Sequence, residues 1–227
     1  MLASTVAKFL DNSSHGEDSF LIRDLGGGQF LDAVMDGVTG HGGEEASNSL
    51  VEALKTAEIG SPDDVATILE EMNDEFFQVG GGRFLLTTVS AALFLDGQMY
   101  VLSAGDSPVY IMNGTSIQQL TGRKGGFLHV GVAKAVGASD TLSNLARMDF
   151  TVEPGTRVVL ATDGVSDNVQ TNELAELVQS ASDPEDASQR VNSTIAGRLE
   201  EGHVPEQLGR RFRHDDRTAI FRFFGAG

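Results

Sequence analysis

The chain has 227 residues, 40% of them hydrophobic and 22% charged, with a formal net charge of −17 and no cysteine. That balance suits one large α/β or α+β unit, and it excludes global disorder, disulfides, thiolate metal sites and a cysteine nucleophile. The acidity argues against a nucleic-acid partner, no apolar run reaches the roughly 18 residues of a membrane span, and the first residues lack the pattern of a secretory leader. A cytoplasmic monomer with no membrane partner is the expectation.

Taken in chain order, Glu17-Asp18 and Val34-Met35-Asp36-Gly37 place carboxylates at the ends of predicted strands. Ala46, Leu50, Ala53, Leu54 and Ala57 then share one face at a 3.6-residue period, which predicts a helix. Ser61-Pro62-Asp63-Asp64 opens a second one. Ser accepts a bond from an orphan amide of the first turn, and Pro there lacks only an N–H that has no partner in the helix. Its apolar stripe is Val65, Ile68, Leu69, Met72 and Phe76. Two β-rich runs, 88–95 and 98–104, flank Asp96-Gly97, the signature of a type I′ hairpin in which both turn residues take positive φ. The pattern repeats around Asn113-Gly114, so residues 84–120 read as one antiparallel meander. Residues 122–146 match neither period and are expected to form an ordered loop or flap with a short helix. Strands are expected at 147–152 and 157–161. Helices are expected from Thr171, with Leu174, Leu177 and Val178 inward, and from Asp183-Pro184, with Ala187, Val191, Ile195 and Leu199 inward. A last strand is expected at 217–224. Strands at both ends and in the middle, with helices grouped in pairs, give a layered α+β fold in a single domain, 1–227.

The chemistry concentrates in acidic clusters at strand ends: Glu17-Asp18, Asp36, Asp163 and Asp215-Asp216. Two share one grammar, an apolar run followed by Asp-Gly and a turn. Gly there lets the backbone bend sharply and lets a carbonyl approach an ion, and hard cations such as Mg²⁺ and Mn²⁺ take several oxygen ligands of this sort. Asp96-Gly97 has the same dipeptide and is read as a turn alone. Phe76-Phe77 and Phe223-Phe224 are read as core.

The order of these pieces resembles the type 2C (PPM) metal-dependent protein phosphatases of bacteria. The matching residues are Glu17-Asp18, Asp36-Gly37-Val38-Thr39-Gly40-His41, Thr87-Thr88, Gly105-Asp106-Ser107, Thr162-Asp163-Gly164-Val165-Ser166-Asp167 and Asp215-Asp216-Arg217-Thr218. The resemblance implies a four-layer αββα sandwich of two antiparallel sheets flanked by helix pairs. It also implies two core Mn²⁺ or Mg²⁺ ions, with a third more weakly held. Asp36 would bridge the two core ions, the Gly37 carbonyl would bind one of them, and Asp163 and Asp215 would complete the other. Glu17 and Asp18 would hold waters around the ions, Asp106 and Asp167 would serve the third ion, and His41 would be a general acid. The chain departs from the family at Ser13, where a phosphate-clamping Arg is usual, and at Pro108, where an Arg usually follows Gly-Asp-Ser. Arg23, Arg123 and Lys124 are the basic residues weighed as replacements, each with a solvated surface role as the default.

Three functions follow from the resemblance. The first is an active phosphatase acting on phosphoserine and phosphothreonine in a phosphorylated protein. The second is a metal-binding but inactive relative that works as a regulatory binding module. The third is a phosphatase for a small phosphoester, which needs no Arg clamp.

Overall fold

β2 (Asp18–Gly26) and β3 (Gln29–Asp36) form the hairpin from which the architecture is built. Side chains alternate along a strand, and β3 uses both faces. Leu31, Ala33 and Met35 enter one apolar cluster, while Val34, with Phe30 beside it, enters another. A strand buried on both faces must be central to a layered structure. The computed structural model describes residues 2–122, 135–202 and 213–225. In it β3 lies inside a five-stranded antiparallel sheet ordered β2-β3-β4-β5-β8. The added strands are β4 (Val89–Leu95), β5 (Gln98–Ala104) and β8 (Ala146–Thr151). A second antiparallel sheet is ordered β1-β10-β9-β6-β7, from β1 (Ser4–Asp11), β10 (Arg217–Phe224), β9 (Arg157–Ala161), β6 (Val109–Asn113) and β7 (Ser116–Gln119).

The two sheets pack face to face around Val34, Ala92, Phe94, Val101, Val158, Leu160 and Ile220. Helices cover the outer faces. α1 (Gly43–Thr56) and α2 (Pro62–Gly80) bury Leu50, Leu54, Val65, Leu69 and Phe76 against the first sheet. α4 (Thr171–Gln179) and α5 (Pro184–Glu201) bury Leu174, Val178, Val191 and Ile195 against the second. Each such apolar side chain contributes about 1.5–3 kcal/mol on burial. This is the expected αββα sandwich, with α3 (Asp163–Ser166) as one extra turn of helix after β9. Among the described residues, no helix is long and apolar enough to cross a membrane.

The helix starts are as the sequence predicts. The Ser61 hydroxyl accepts from the Asp64 amide while the Asp64 side chain returns to the Ser61 amide, and the Asp183 carboxylate accepts from the Asp186 amide. The Asp96-Gly97 turn has positive φ at both residues, 49° and 80°. In the next hairpin Asn113 and Ser116 are register partners, so the two-residue turn is Gly114-Thr115, with positive φ at Gly114 alone. That fits a type II′ turn rather than a repeat of I′.

The meander expected over 84–120 is not one. Its two hairpins belong to different sheets: β5 pairs with β8, and β6 pairs with β9. The crossing is made by Gly105-Asp106-Ser107-Pro108. Gly105 takes a φ of 113° against the Thr88 side chain, and Ser107 is buried between the sheets with its hydroxyl 2.8 Å from that of Thr88. Of the expected flap, residues 123–134 lie outside the described residues. Residues 135–145 contain no helix, and Val136 bridges Thr87 before β8 begins.

Candidate functional site

Asp36 ends β3 on the face that carries Phe30, Asp32 and Val34, so its carboxylate points between the sheets at their rim. Asp18 is its register partner on β2. Across the sandwich, β9 and β10 are antiparallel neighbours, so the residues after β9 and before β10 lie together. Those residues are Asp163 and Asp215. Asp106 comes from the β5–β6 crossing. One rim of the sandwich therefore gathers carboxylates from five places in the chain.

These carboxylates act on one another electrostatically. Burial pushes Asp36 well above the ordinary carboxylate range, and Asp163, Asp18, Asp106 and Asp215 all push it the same way. Asp18 is raised to about 8, first by burial and then by Asp216 and Asp163, against the hydrogen bond from Thr162. Asp163 is raised to about 6 by burial and by Asp106, Asp167 and Asp215, against Arg213. Like charges held this near in a poorly solvated site favour protonation or a bound cation.

The glycines of the Asp-Gly pairs serve close backbone approach. Neither Gly37 nor Gly164 has positive φ. A Cβ at Gly37 would lie 2.4 Å from the Gly43 carbonyl carbon at the start of α1, and one at Gly164 would lie 1.9 Å from the Asp216 carbonyl oxygen. The sequence reading of a sharp turn gives way here to a need for space.

Asp216 grips the β1–β2 loop. Its buried carboxylate accepts from the backbone N–H groups of Ser14, His15 and Glu17 at 3.0, 2.9 and 2.8 Å. This fixes Glu17, whose carboxylate accepts from the Thr39 hydroxyl and whose carbonyl accepts from the Gly37 amide. Glu17 is not among the leading charges on Asp36. Thr162 donates its hydroxyl to Asp18 at 2.8 Å and accepts from the Thr218 amide at 2.9 Å, tying Asp18 on the first sheet to β9 and β10 on the second.

His41 is held from the segment that follows α2. Its Nδ1 is 2.7 Å from the Arg83 carbonyl oxygen, which can only accept, so Nδ1 carries the proton. Ser13 is exposed, with its backbone N–H on Asp11. Arg23 does not serve the site: it donates to the Leu54 and Ala57 carbonyls at the C-terminal end of α1. Arg123 and Lys124 lie outside the described residues.

Two residues that the sequence reading passed over are drawn into the cluster. Arg213 pairs with Asp163, with Asp215 at 3.0 Å and with Asp167 at 3.5 Å. His15 Nδ1 lies 3.3 Å from Asp215. The signal for Arg213 was local: it stands two residues before Asp215. His15 stands two residues before Glu17.

The donor chemistry fits a hard divalent cation, since the cluster offers carboxylate and carbonyl oxygens and no sulfur. The charge fits as well, because several buried carboxylates face a single half-exposed guanidinium among the described residues. As arranged around that guanidinium, no three Asp, Glu or His side chains among the described residues close tightly enough to hold an ion.

A search of the curated proteins returned no match. Among solved structures, the chain resembles PppA, a key regulatory component of the T6SS in Pseudomonas aeruginosa, with a TM-score of 0.78, 23% identity and 97% of each chain covered. It also resembles the catalytic domain of the serine/threonine phosphatase PstP in complex with two manganese ions, with a TM-score of 0.77, 20% identity and both chains fully covered. PstP from Mycobacterium tuberculosis gives a TM-score of 0.75 at 20% identity, again over both whole chains. At such identities the likeness establishes the fold, which is that of the PP2C-type phosphatases. The family model for Stage II sporulation protein E (SpoIIE) matches residues 28–221, a span that runs from before Asp36 to beyond Asp215. With most of its length inside that match, the chain belongs to the SpoIIE family of PP2C-like proteins.

Proposed function

We propose that this protein is a metal-dependent phosphomonoester hydrolase acting on phosphoserine and phosphothreonine in proteins, with the whole chain, 1–227, as one catalytic domain. The observation that carries this reading is the convergence of Asp18, Asp36, Asp106, Asp163 and Asp215 at one rim, where burial and neighbouring carboxylates raise the proton affinity of Asp18, Asp36 and Asp163. Asp36, the Gly37 carbonyl, Asp163 and Asp215 would hold two core Mn²⁺ or Mg²⁺ ions, Glu17 and Asp18 would order water around them, and Asp106 and Asp167 would serve a third. Bound there, the ions would supply an activated water and neutralise the phosphoryl oxygens during in-line displacement.

The protein's own side chains have separate tasks. Asp216 fixes the loop that carries Glu17, and Thr162 fixes Asp18. His41 is the candidate proton donor to the departing alkoxide. With Nδ1 committed to the Arg83 carbonyl, its deliverable proton is on Nε2, so the acid form is the imidazolium. Ser13 offers a short hydroxyl in place of a bidentate guanidinium, which weakens phosphate binding.

The missing clamp and the position of Arg213 favour a second reading, an inactive metal-binding relative with a regulatory role. Hydrolysis of p-nitrophenyl phosphate with and without Mn²⁺ separates the two. Mn²⁺-dependent turnover supports the phosphatase, and its absence at every Mn²⁺ and Mg²⁺ concentration supports the regulatory module. Turnover of phosphopeptides against small phosphoesters then tests the choice of substrate.

A further inference from the structure

The segment that follows α2 runs beside the Asp36 loop residue by residue. The Thr88 amide donates to the Asp36 carbonyl at 2.8 Å, and the Val38 amide donates to the Leu86 carbonyl at 2.9 Å. The Leu86 amide donates to the His41 carbonyl at 3.2 Å. Next outward, the Arg83 carbonyl accepts from the His41 ring. Outermost, the Phe84 ring lies on Gly42, so close that a Cβ there would be 2.8 Å from the ring. Residues 83 and 84 thus stand at the mouth of the candidate site, beside its candidate acid.

The backbone is forced into this shape. Leu85 has a φ of +57°, a left-handed conformation that a bulky side chain adopts at a cost of order 1–3 kcal/mol. Its side chain is buried in the α1–α2 core. Gly137 packs under its carbonyl, where a Cβ would lie 2.4 Å away, and Asn73 holds that support in place through the Gly137 amide and the Ser139 carbonyl. The strained turn sends Leu85 inward and leaves Phe84 and Arg83 outward. Phe84 is 47% exposed and Arg83 is exposed with no ion-pair partner among the described residues. A large apolar ring and a guanidinium held in water by a rigid turn are the residue types that dominate recognition surfaces.

We infer that Arg83 and Phe84 are the substrate-selecting residues of this site. The inference rests on the phosphatase reading above. Phe84 receives an apolar side chain next to the phosphorylated residue, and Arg83 receives an acidic one. An acidic segment approaching a chain of net charge −17 meets repulsion, and Arg83 offers a local positive charge that offsets it.

The test compares F84A and R83A with the wild type in Mn²⁺. One substrate is a phosphoserine peptide carrying Leu and Glu beside the phosphoserine, and the other is p-nitrophenyl phosphate. For each variant the ratio of kcat/KM on the peptide to kcat/KM on the small ester should fall about fivefold or more, the usual reach of a recognition side chain. Fluorescence anisotropy with the matching non-hydrolysable phosphonate peptide should show the same loss in Kd. For F84A the ratio should not fall when Leu in the peptide is replaced by Ala. An unchanged ratio in both variants, with a wild type that turns over the small ester, overturns this inference and leaves the phosphatase reading intact. A wild type that turns over neither substrate overturns both.

Discussion

Asp32 and Asp36 lie four residues apart on the same face of β3, and the fold treats them in opposite ways. At Asp32, between the sheets, Arg222 of β10 makes a bidentate pair through Nε at 2.6 Å and Nη2 at 2.8 Å. The same guanidinium donates to Ser4 and stacks over Phe30 at 4.3 Å. Burial raises the Asp32 carboxyl, and Arg222 opposes that rise. At Asp36 the leading causes all act upward, and four of them are other carboxylates. Arg213 serves that cluster, but its side chain is 46% exposed and it divides itself among three partners. One strand face thus holds a carboxylate with its own cation built in and another whose neighbours make it a receiver of cations. The first kind joins the sheets; the second has the character of a site.

The sharpest way to break this contrast is to remove each carboxylate. Asp36→Ala should lower Mn²⁺-dependent hydrolysis by orders of magnitude, while the melting temperature in EDTA does not fall, because a poorly solvated carboxyl among like groups has gone. Unchanged turnover in that variant would refute the role assigned to Asp36. Asp32→Ala should do the reverse. Leaving Arg222 buried without its partner costs about 3–5 kcal/mol, which urea unfolding would show as a lowered midpoint. A loss below about 1 kcal/mol would mean that the pair is not the tie between the sheets.

A smaller effect separates the two regions by pH. In the metal-free fold Asp163 and Asp18 are raised to about 6 and about 8 from 3.8. The folded state therefore keeps protons that the unfolded chain has lost, and stability falls as pH rises between those limits. In EDTA the melting temperature should be lower at pH 8 than at pH 5 by at least a few degrees, since 1 kcal/mol moves it by about 2–4 °C at this size. Saturating Mn²⁺ should remove the difference. A flat or rising profile in EDTA would contradict the crowding at the rim.

Arg213→Gln gives the smallest change. An exposed ion pair is worth about 0.2–1 kcal/mol, so an incoming Mn²⁺ with no guanidinium to displace should bind up to roughly fivefold more tightly. Weaker binding in the variant, read by calorimetry, would show that Arg213 supports the ions rather than competing with them.

What the sequence made legible was local. Ser61-Pro62-Asp63-Asp64 and Asp183-Pro184 marked helix starts because capping needs only neighbours, and Asp96-Gly97 marked a turn because positive φ at both residues is a local demand. The sheet to which each hairpin belongs was not legible. Residues 88–120 read as successive β-rich runs joined by short turns, and four residues, Gly105 to Pro108, carry the chain from one sheet to the other. The candidate carboxylates were legible from the order of their motifs. Their surroundings were not: Asp216 holds the β1–β2 loop from about 200 residues away, and through that grip His15 reaches Asp215. Arg213 was passed over because basic residues were sought near the flap and near Ser13, while the cation in the cluster came from the approach to β10.

The central claim, that the rim around Asp36 is a cation site and the pair at Asp32 is not, is tested most directly by calorimetric titration of Mn²⁺ into EDTA-stripped protein. The wild type should show two tight sites, Asp36→Ala should lose them, and a folded variant in which Asp32 and Arg222 are replaced together by Asn and Met should keep both. No Mn²⁺ binding by the wild type, or binding that survives Asp36→Ala unchanged, would contradict the account.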